Sequence, residues 1–236
     1  MLGIIGAMDK EVDALREQME GAREETIGFT RYTCGTLWGA EVCLARCGIG
    51  KVHAALCAQG MILSLGAERM LNIGVAGALR DSLQIGDIVI ADSAVQHDVD
   101  TTPLGDPLGM ISGPDIVHIP CDEAMKEKIR LAAEEAALRY ETGAIATGDQ
   151  FIVGTEKKDF LARQFDAAAC DMEGGAIAQC CYEMRVPYAA VRAISDTRLG
   201  DETEYALKAD LACRNEEKLL KCLIELLRTE GECQHG

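Results

Sequence analysis

The chain has 236 residues, enough for one large α/β domain or two small ones. Its 39 acidic against 23 basic residues leave a net charge of −16, and no lysine or arginine stripe offsets it, which argues against a nucleic-acid partner. No apolar run nears the roughly 18 residues that cross a bilayer, so a membrane partner is not expected either.

Apolar runs of strand length alternate with helical periodicity, the pattern of an α/β sheet protein. The opening "MLGIIGAM" reads as a first core strand rather than a leader. A helix follows, with Met8, Val12, Leu15 and Met19 on one face. Strand-like segments at "FTRYTCGTL" and "EVCLARC" precede a helix over "KVHAALCAQGMILSLG" and strands at "RMLNIG" and "GDIVIADSAVQ". From His97 to Pro120 the chain holds four of its five prolines and reads as one long loop. Next come a helix from about Asp122 to Leu138, a strand at "TGAIATG" and a helix at "KKDFLARQF". Strand "AAACDM", helix "GGAIAQCCYEM" and strand "YAAVRAISD" follow. A final amphipathic helix carries Leu211, Leu219, Leu220, Leu223 and Leu227. One domain over residues 1–230 with a short tail, 231–236, is the economical reading.

The 11 cysteines show no C-x-x-C spacing and mostly sit in apolar segments. They read as reduced thiols of a cytoplasmic protein. Histidines at 53, 97, 118 and 235 give no metal spacing, and no metal or organic cofactor is expected. "GIGK" (48–51) opens a helix and could bind an anion through its amides, or be only a tight turn. It is not a Walker A loop, because Val52 follows the lysine.

The informative positions, each supplying a carboxylate or a small, permissive turn, fall just after strands, where open α/β sheets bind ligands. Glu11 follows "LGIIG", "GVAGA" follows "RMLNI", "TGDQFI" follows "TGAIA", Asp171 and Glu173 follow "AAAC", and Ser195 and Asp196 close "YAAVRAISD". If those strands run parallel in one sheet, all five positions converge on one pocket. Asp196 could alternatively cap the next helix. Glu173 lies at a helix start, where the dipole favours an acid, and with Ile177 and Cys181 it follows the buried stripe. Arg192, inside an apolar strand, needs carboxylates or water around its guanidinium.

The set "GIIGAMDKEV", "GIGKV", "NIGVAGAL", "GDIVIAD", "TGDQFI", "DMEGGAIA" and "VRAISD", in this order, resembles the 5'-methylthioadenosine/S-adenosylhomocysteine nucleosidases of the nucleoside phosphorylase superfamily. The resemblance implies a single-domain, three-layer α/β/α fold with a central mixed sheet. It implies hydrolysis of the N-glycosidic bond of 5'-thio-substituted adenosines, through an oxocarbenium-like transition state. Asp196 then serves purine N7 as general acid with Ser195 holding it, and Glu11 activates the water with Arg192 orienting it. Glu173 grips the ribose hydroxyls, Met172 packs on the sugar, Phe151 stacks on adenine and the Ile152 backbone reads the base edge. Further substrate contacts implied are Ala7, Met8, Ile49, Val75, Ala76, Gly77 and Asp171. A homodimer is also implied, with the His97–Pro120 loop near the partner's pocket.

Departures from the family pattern are Val75 and Ala78 in place of the serine and last glycine of "GSAGG", and Asp171 in place of a glutamate. Leu104 and Asp106 stand where some members present aromatics to the 5'-substituent. Two alternatives stay open at this level: a purine nucleoside phosphorylase, and a non-catalytic binder of adenosyl compounds. Related phosphorylases bring an arginine and a hydroxyl where this chain has Asn72 and Val75, which favours water over phosphate.

Overall fold

The computed structural model describes residues 1–200 and 202–233. It begins with β1 (Leu2–Gly6), α1 (Asp9–Glu17), β2 (Met19–Ile27), β3 (Thr30–Leu37) and β4 (Ala40–Arg46). Then follow α2 (Lys51–Leu65), β5 (Arg69–Asn72), β6 (Val75–Ala78), β7 (Ile88–Gln96) and a two-residue β8 (Ile119–Pro120). The rest is α3 (Glu123–Glu135), β9 (Tyr140–Thr147), α4 (Thr155–Phe165), β10 (Ala167–Asp171), α5 (Gly174–Met184), β11 (Tyr188–Asp196) and α6 (Glu202–Cys233).

The strands form one mixed sheet in the order β2-β3-β4-β1-β5-β11-β6-β10-β9-β7-β8. β1, β5 and β11 run parallel. A second pairing of β11, antiparallel to β7, closes β11, β6, β10, β9 and β7 on themselves. Strand β11 sits in the middle of everything, and all nine of its residues are buried. Its residues are apolar apart from Arg192 and the closing Ser195 and Asp196, as burial on both faces requires.

Alternation along β1 shows how the layers form. Ile4 packs into a cluster with Val12 and Leu15 of α1, Ile129 of α3 and Leu219 of α6. Its neighbour Ile5 packs on the opposite face with Ala54 and Met61 of α2 and Ile177 of α5. Successive strand residues face opposite sides, so one short strand glues both helical layers to the sheet. The architecture is α/β/α, as the resemblance implied.

Several expectations need correction. Met19 does not extend α1: the helix stops at Glu17, and Met19 starts β2. β2 itself escapes a periodicity reading because seven of its nine residues are exposed, and charged edge strands of this kind carry no buried face to detect. "GVAGA" is not a turn but contains β6, paired to both β11 and β10. The strands carrying the candidate residues are not all parallel, since β10 runs antiparallel to β6 while β11 runs parallel to it. Closure of the five strands, rather than a shared direction, brings their ends together. α6 takes in residues 231–233 of the expected tail, while 234–236 lie outside the described residues.

The "GIGK" turn shows why its glycines are needed. Gly50 has φ +100°, and a Cβ there would come 3.0 Å from Asp149 Oδ1. Its freed amides do bind anions, but these are the protein's own: Gly50 N–H donates to Glu173 Oε1 (2.7 Å) and Lys51 N–H to Asp149 Oδ1 (2.8 Å).

Truncating Ile4, fully buried at the junction of sheet and helices, tests this layering. Ile4→Ala is expected to lower the unfolding free energy by about 3 kcal/mol, read from the urea midpoint at unchanged slope. A loss below about 1 kcal/mol would mean that β1 is not a core strand.

Candidate active site

One cavity, about 620 Å³ out to its mouth, opens where β1, β6, β10 and β11 end. Glu11, Glu173 and Asp196 all line it. So do Ala7, Met8, Ile49, Val75, Ala76 and Gly77, and on the other side Phe151, Ile152, Asp171, Met172 and Ser195. Arg192 does not.

Glu11 is the third residue of α1 and reaches back over the helix start. Its Oε2 accepts the amides of Ala7 (2.7 Å) and Met8 (2.9 Å), and its Oε1 accepts that of Val75 (3.0 Å). The reach-back to Met8 is half of a capping box, so one side chain caps the helix and faces the cavity. Burial pushes its carboxyl above the ordinary value, while the three amides and Arg192 pull the other way.

Glu173 stands at the start of α5 with Oε1 fixed by Gly50. Burial first, and the neighbouring Asp171 second, raise its carboxyl to about 7.

Asp196 ends β11 at an irregularity in the β11–β6 register, where Ser195 and Asp196 together oppose Gly77. The Ser195 hydroxyl lies 3.0 Å from Asp196 Oδ1 and 3.2 Å from the Ala76 carbonyl.

Arg192, given an orienting task at Glu11, lies one layer behind the cavity wall. Its guanidinium donates to Asp171 Oδ2 from Nε (3.2 Å) and Nη2 (2.5 Å), to Asn72 Oδ1, and to the carbonyls of Asn72 (3.1 Å) and Val191 (2.8 Å). These bonds use up the guanidinium fork, so Arg192 touches the cavity only through its neighbours and its field. Asp171, whose task was undefined, is its counter-ion. Its other oxygen accepts the Thr147 hydroxyl, and Oδ2 also takes the Gly174 amide at 2.8 Å.

Three lining residues escaped sequence reading: Gln150, Cys170 and Tyr205. Tyr205, near the start of α6, meets Phe151 edge-on with ring centres 5.5 Å apart, and its hydroxyl takes a hydrogen bond from Lys10 Nζ at 3.0 Å. Two buried charges next to the site were also missed. Lys158 of α4 bonds Asp196, and Glu216 of α6 accepts the Gly74 amide at 2.8 Å. Both were legible: Lys158 shares a helical face with Leu161 and Phe165, and Glu216 with Leu219, Leu220 and Leu223. Among the described residues no His, Cys, Asp or Glu cluster could hold a metal ion.

The phosphorylase superfamily profile matches residues 1–228. A curated relative, the 5'-methylthioadenosine/S-adenosylhomocysteine nucleosidase of Anoxybacillus flavithermus, is 39% identical over 83% of this chain and 84% of its own. Among solved structures, the nucleosidase of that name from Neisseria meningitidis, in complex with methylthio-immucillin-A, superposes with a TM-score of 0.90. It is 31% identical, over 94% of this chain and 97% of its own. The native futalosine hydrolase of Helicobacter pylori reaches 0.89 at 33% identity, over 95% and 97%. The chain belongs to the phosphorylase superfamily and, within it, to the 5'-methylthioadenosine/S-adenosylhomocysteine nucleosidases. For this nucleosidase-family chain, every cavity position that the motifs implied, Arg192 excepted, lies on the cavity wall.

Glu173 also makes the wall pH-sensitive. Its folded-state carboxyl binds a proton more tightly than its ordinary 4.5 allows, up to about 7. Its contribution to stability is therefore complete below about 4.5 and lost as pH rises through about 7. Glu173→Gln, which cannot ionise, is expected to flatten part of the fall in Tm between about pH 5 and pH 8. The remaining slope belongs to Glu11 and Glu216, which burial also raises. An unchanged slope in the variant would contradict this account.

Proposed function

We propose that this protein hydrolyses the N-glycosidic bond of 5'-thio-substituted adenosines such as 5'-methylthioadenosine and S-adenosylhomocysteine, and releases adenine. The observation that carries this reading is the charge of the cavity wall. The described lining residues include four carboxylates, Glu11, Asp171, Glu173 and Asp196, and no lysine or arginine. A phosphate dianion would find no cation on that wall, whereas a developing ribosyl cation would be stabilised by its carboxylates. Asn72 offers phosphate nothing, because its amide is spent on the Ile5 and Ile73 carbonyls and on Arg192. Val75 supplies no hydroxyl. Water is the nucleophile that fits.

Each group then has a task. As the bond from the anomeric carbon to N9 breaks, its electron pair passes into the purine and N7 takes the Asp196 proton. A water adds to the anomeric carbon and gives a proton to Glu11, whose three amides hold it in place. Exchange with solvent after adenine leaves restores both groups. Glu173 accepts the ribose 2'- and 3'-hydroxyls with Met172 against the sugar, and Phe151 supplies the stacking face. Arg192 acts as a positioning residue: it fixes Asp171 and Asn72, and its field favours the ionised forms of Glu11 and Glu173.

The same reading includes a cytoplasmic homodimer. The ten cysteines whose side chains are described are free thiols, which supports a reducing compartment. Ile49, Val52 and Leu56 are exposed beside the cavity, an apolar patch suited to a second copy. Light scattering should give twice the chain mass, and a monomer at micromolar concentration would remove this part of the reading.

The activity test is adenine release in phosphate-free buffer. The wild type is expected to turn over without phosphate, and activity seen only on adding phosphate would sink the hydrolytic assignment. Glu11→Gln and Asp196→Asn are each expected to lower kcat by roughly 10²-fold or more while adenine still binds. An undiminished rate in either would refute the role given to that residue.

A further inference from the structure

Lys158 is a fully buried lysine that the reaction as written does not use. Its Nζ donates to Asp196 Oδ2 (2.7 Å), to the Thr197 carbonyl (2.8 Å) and to the Gly200 carbonyl (3.3 Å). An ammonium has three protons, and each has an acceptor. Burying a charge is costly without a partner of opposite sign, so the ammonium favours the carboxylate that Asp196 becomes once its proton has passed to the purine, and it holds Oδ2 in place. The remaining sides of the Asp196 carboxyl are also confined. Ser195 bonds Oδ1, and a Cβ on Gly77 would approach Oδ2 to 2.9 Å. What stays open is the side toward the cavity, which Asp196 lines.

This arrangement distinguishes the two oxygens. With an ammonium N–H directed at Oδ2, an acidic proton is disfavoured there. Oδ1 is the oxygen free to carry it toward the cavity, and the Ser195 hydroxyl, which donates to a bare Oδ1, can then turn its own proton to the Ala76 carbonyl.

Resting on the hydrolytic reading above, we propose that Lys158 is a positioning residue for the leaving-group acid. Its ammonium clamps Asp196 Oδ2 and the 197–200 turn, so that the proton is presented from Oδ1 to the purine. Removing the clamp should therefore harm only a reaction that needs the proton.

Lys158→Met tests this with two substrates of the same sugar. One is 5'-methylthioadenosine, whose adenine leaves with protonation. The other is the 4-nitrophenyl 5-methylthioriboside, whose phenolate leaves without it. The expected result is a fall in kcat of about thirtyfold or more on the nucleoside, with KM within about threefold. The rate on the nitrophenyl compound should stay within about threefold. Equal losses on both substrates would mean a merely structural lysine and overturn the proposal, as would no loss on either. If Lys158→Met does not fold, Lys158→Gln, which keeps a donor but not the charge, is put through the same comparison and judged by the same outcomes. Wild-type turnover without phosphate judges the hydrolytic reading separately. Should that fail, the leaving-group comparison run with phosphate still judges Lys158.

Discussion

Burying carboxylates is the constraint on which this structure turns. Six acids are buried among the described residues, against two buried cations, Arg192 and Lys158. Each cation is committed to one aspartate at a strand end, Arg192 to Asp171 and Lys158 to Asp196. Removing either partner would leave an uncompensated charge in the interior, the case in which a buried ion pair matters most. Arg192 does more than neutralise Asp171. Its field also lowers Glu11, Glu173 and Glu216, three carboxyls that burial otherwise raises. A single guanidinium, held by Asn72 from the other side, thereby lets an acidic cavity exist at all.

The same constraint separates the roles of the acids. Glu11 meets three backbone amides, Glu173 one amide and the charge of Asp171, and Asp196 a hydroxyl and an ammonium. Environments this different suit the three side chains to different tasks within one site. Backbone donors matter here because they cannot move away. The amides of Val75 and Gly74 come from a segment that pairs with β11 and places Glu11 and Glu216 side by side. Gly74 has φ +141°, and a Cβ would come within 2.8 Å of Glu11 Oε1, so the approach of this carboxylate depends on glycine.

Much of this was legible in the sequence, and the failures share a cause. Strand ends, the buried stripe under Glu173 and the need of Arg192 for a carboxylate followed from local pattern and charge physics. The partner of Arg192 did not, because Asp171 lies 21 residues away and reaches it only when β10 and β11 join a closed set of strands. β2 was invisible because its residues face water. Lys158 and Glu216 were missed by treating charge in a helix as solvated, although their spacing to apolar neighbours marks them as buried. Motif resemblance named the residues of the cavity wall and an orienting task for Arg192, but a family pattern names positions and not which layer a long side chain occupies.

Helix α6 ties these parts together unevenly. Its middle is packed hard: Leu219, Leu220, Leu223 and Ile224 are buried against the sheet, and Glu216 accepts Gly74 behind Glu11. Its beginning is held differently. Leu207 and Leu211 are exposed, and the ties there are polar: Lys10 to Tyr205, Thr197 N–H to Glu204, and the lysine bonds to the 197–200 turn. Neutral polar contacts contribute only about 1 kcal/mol each on balance, whereas lifting a buried leucine exposes its whole side chain at roughly 2 kcal/mol or more. The wall behind the carboxylates is therefore the rigid part. The Tyr205–Phe151 contact on the cavity wall belongs to the lightly held start of the helix, apart from the core that holds the acids in register.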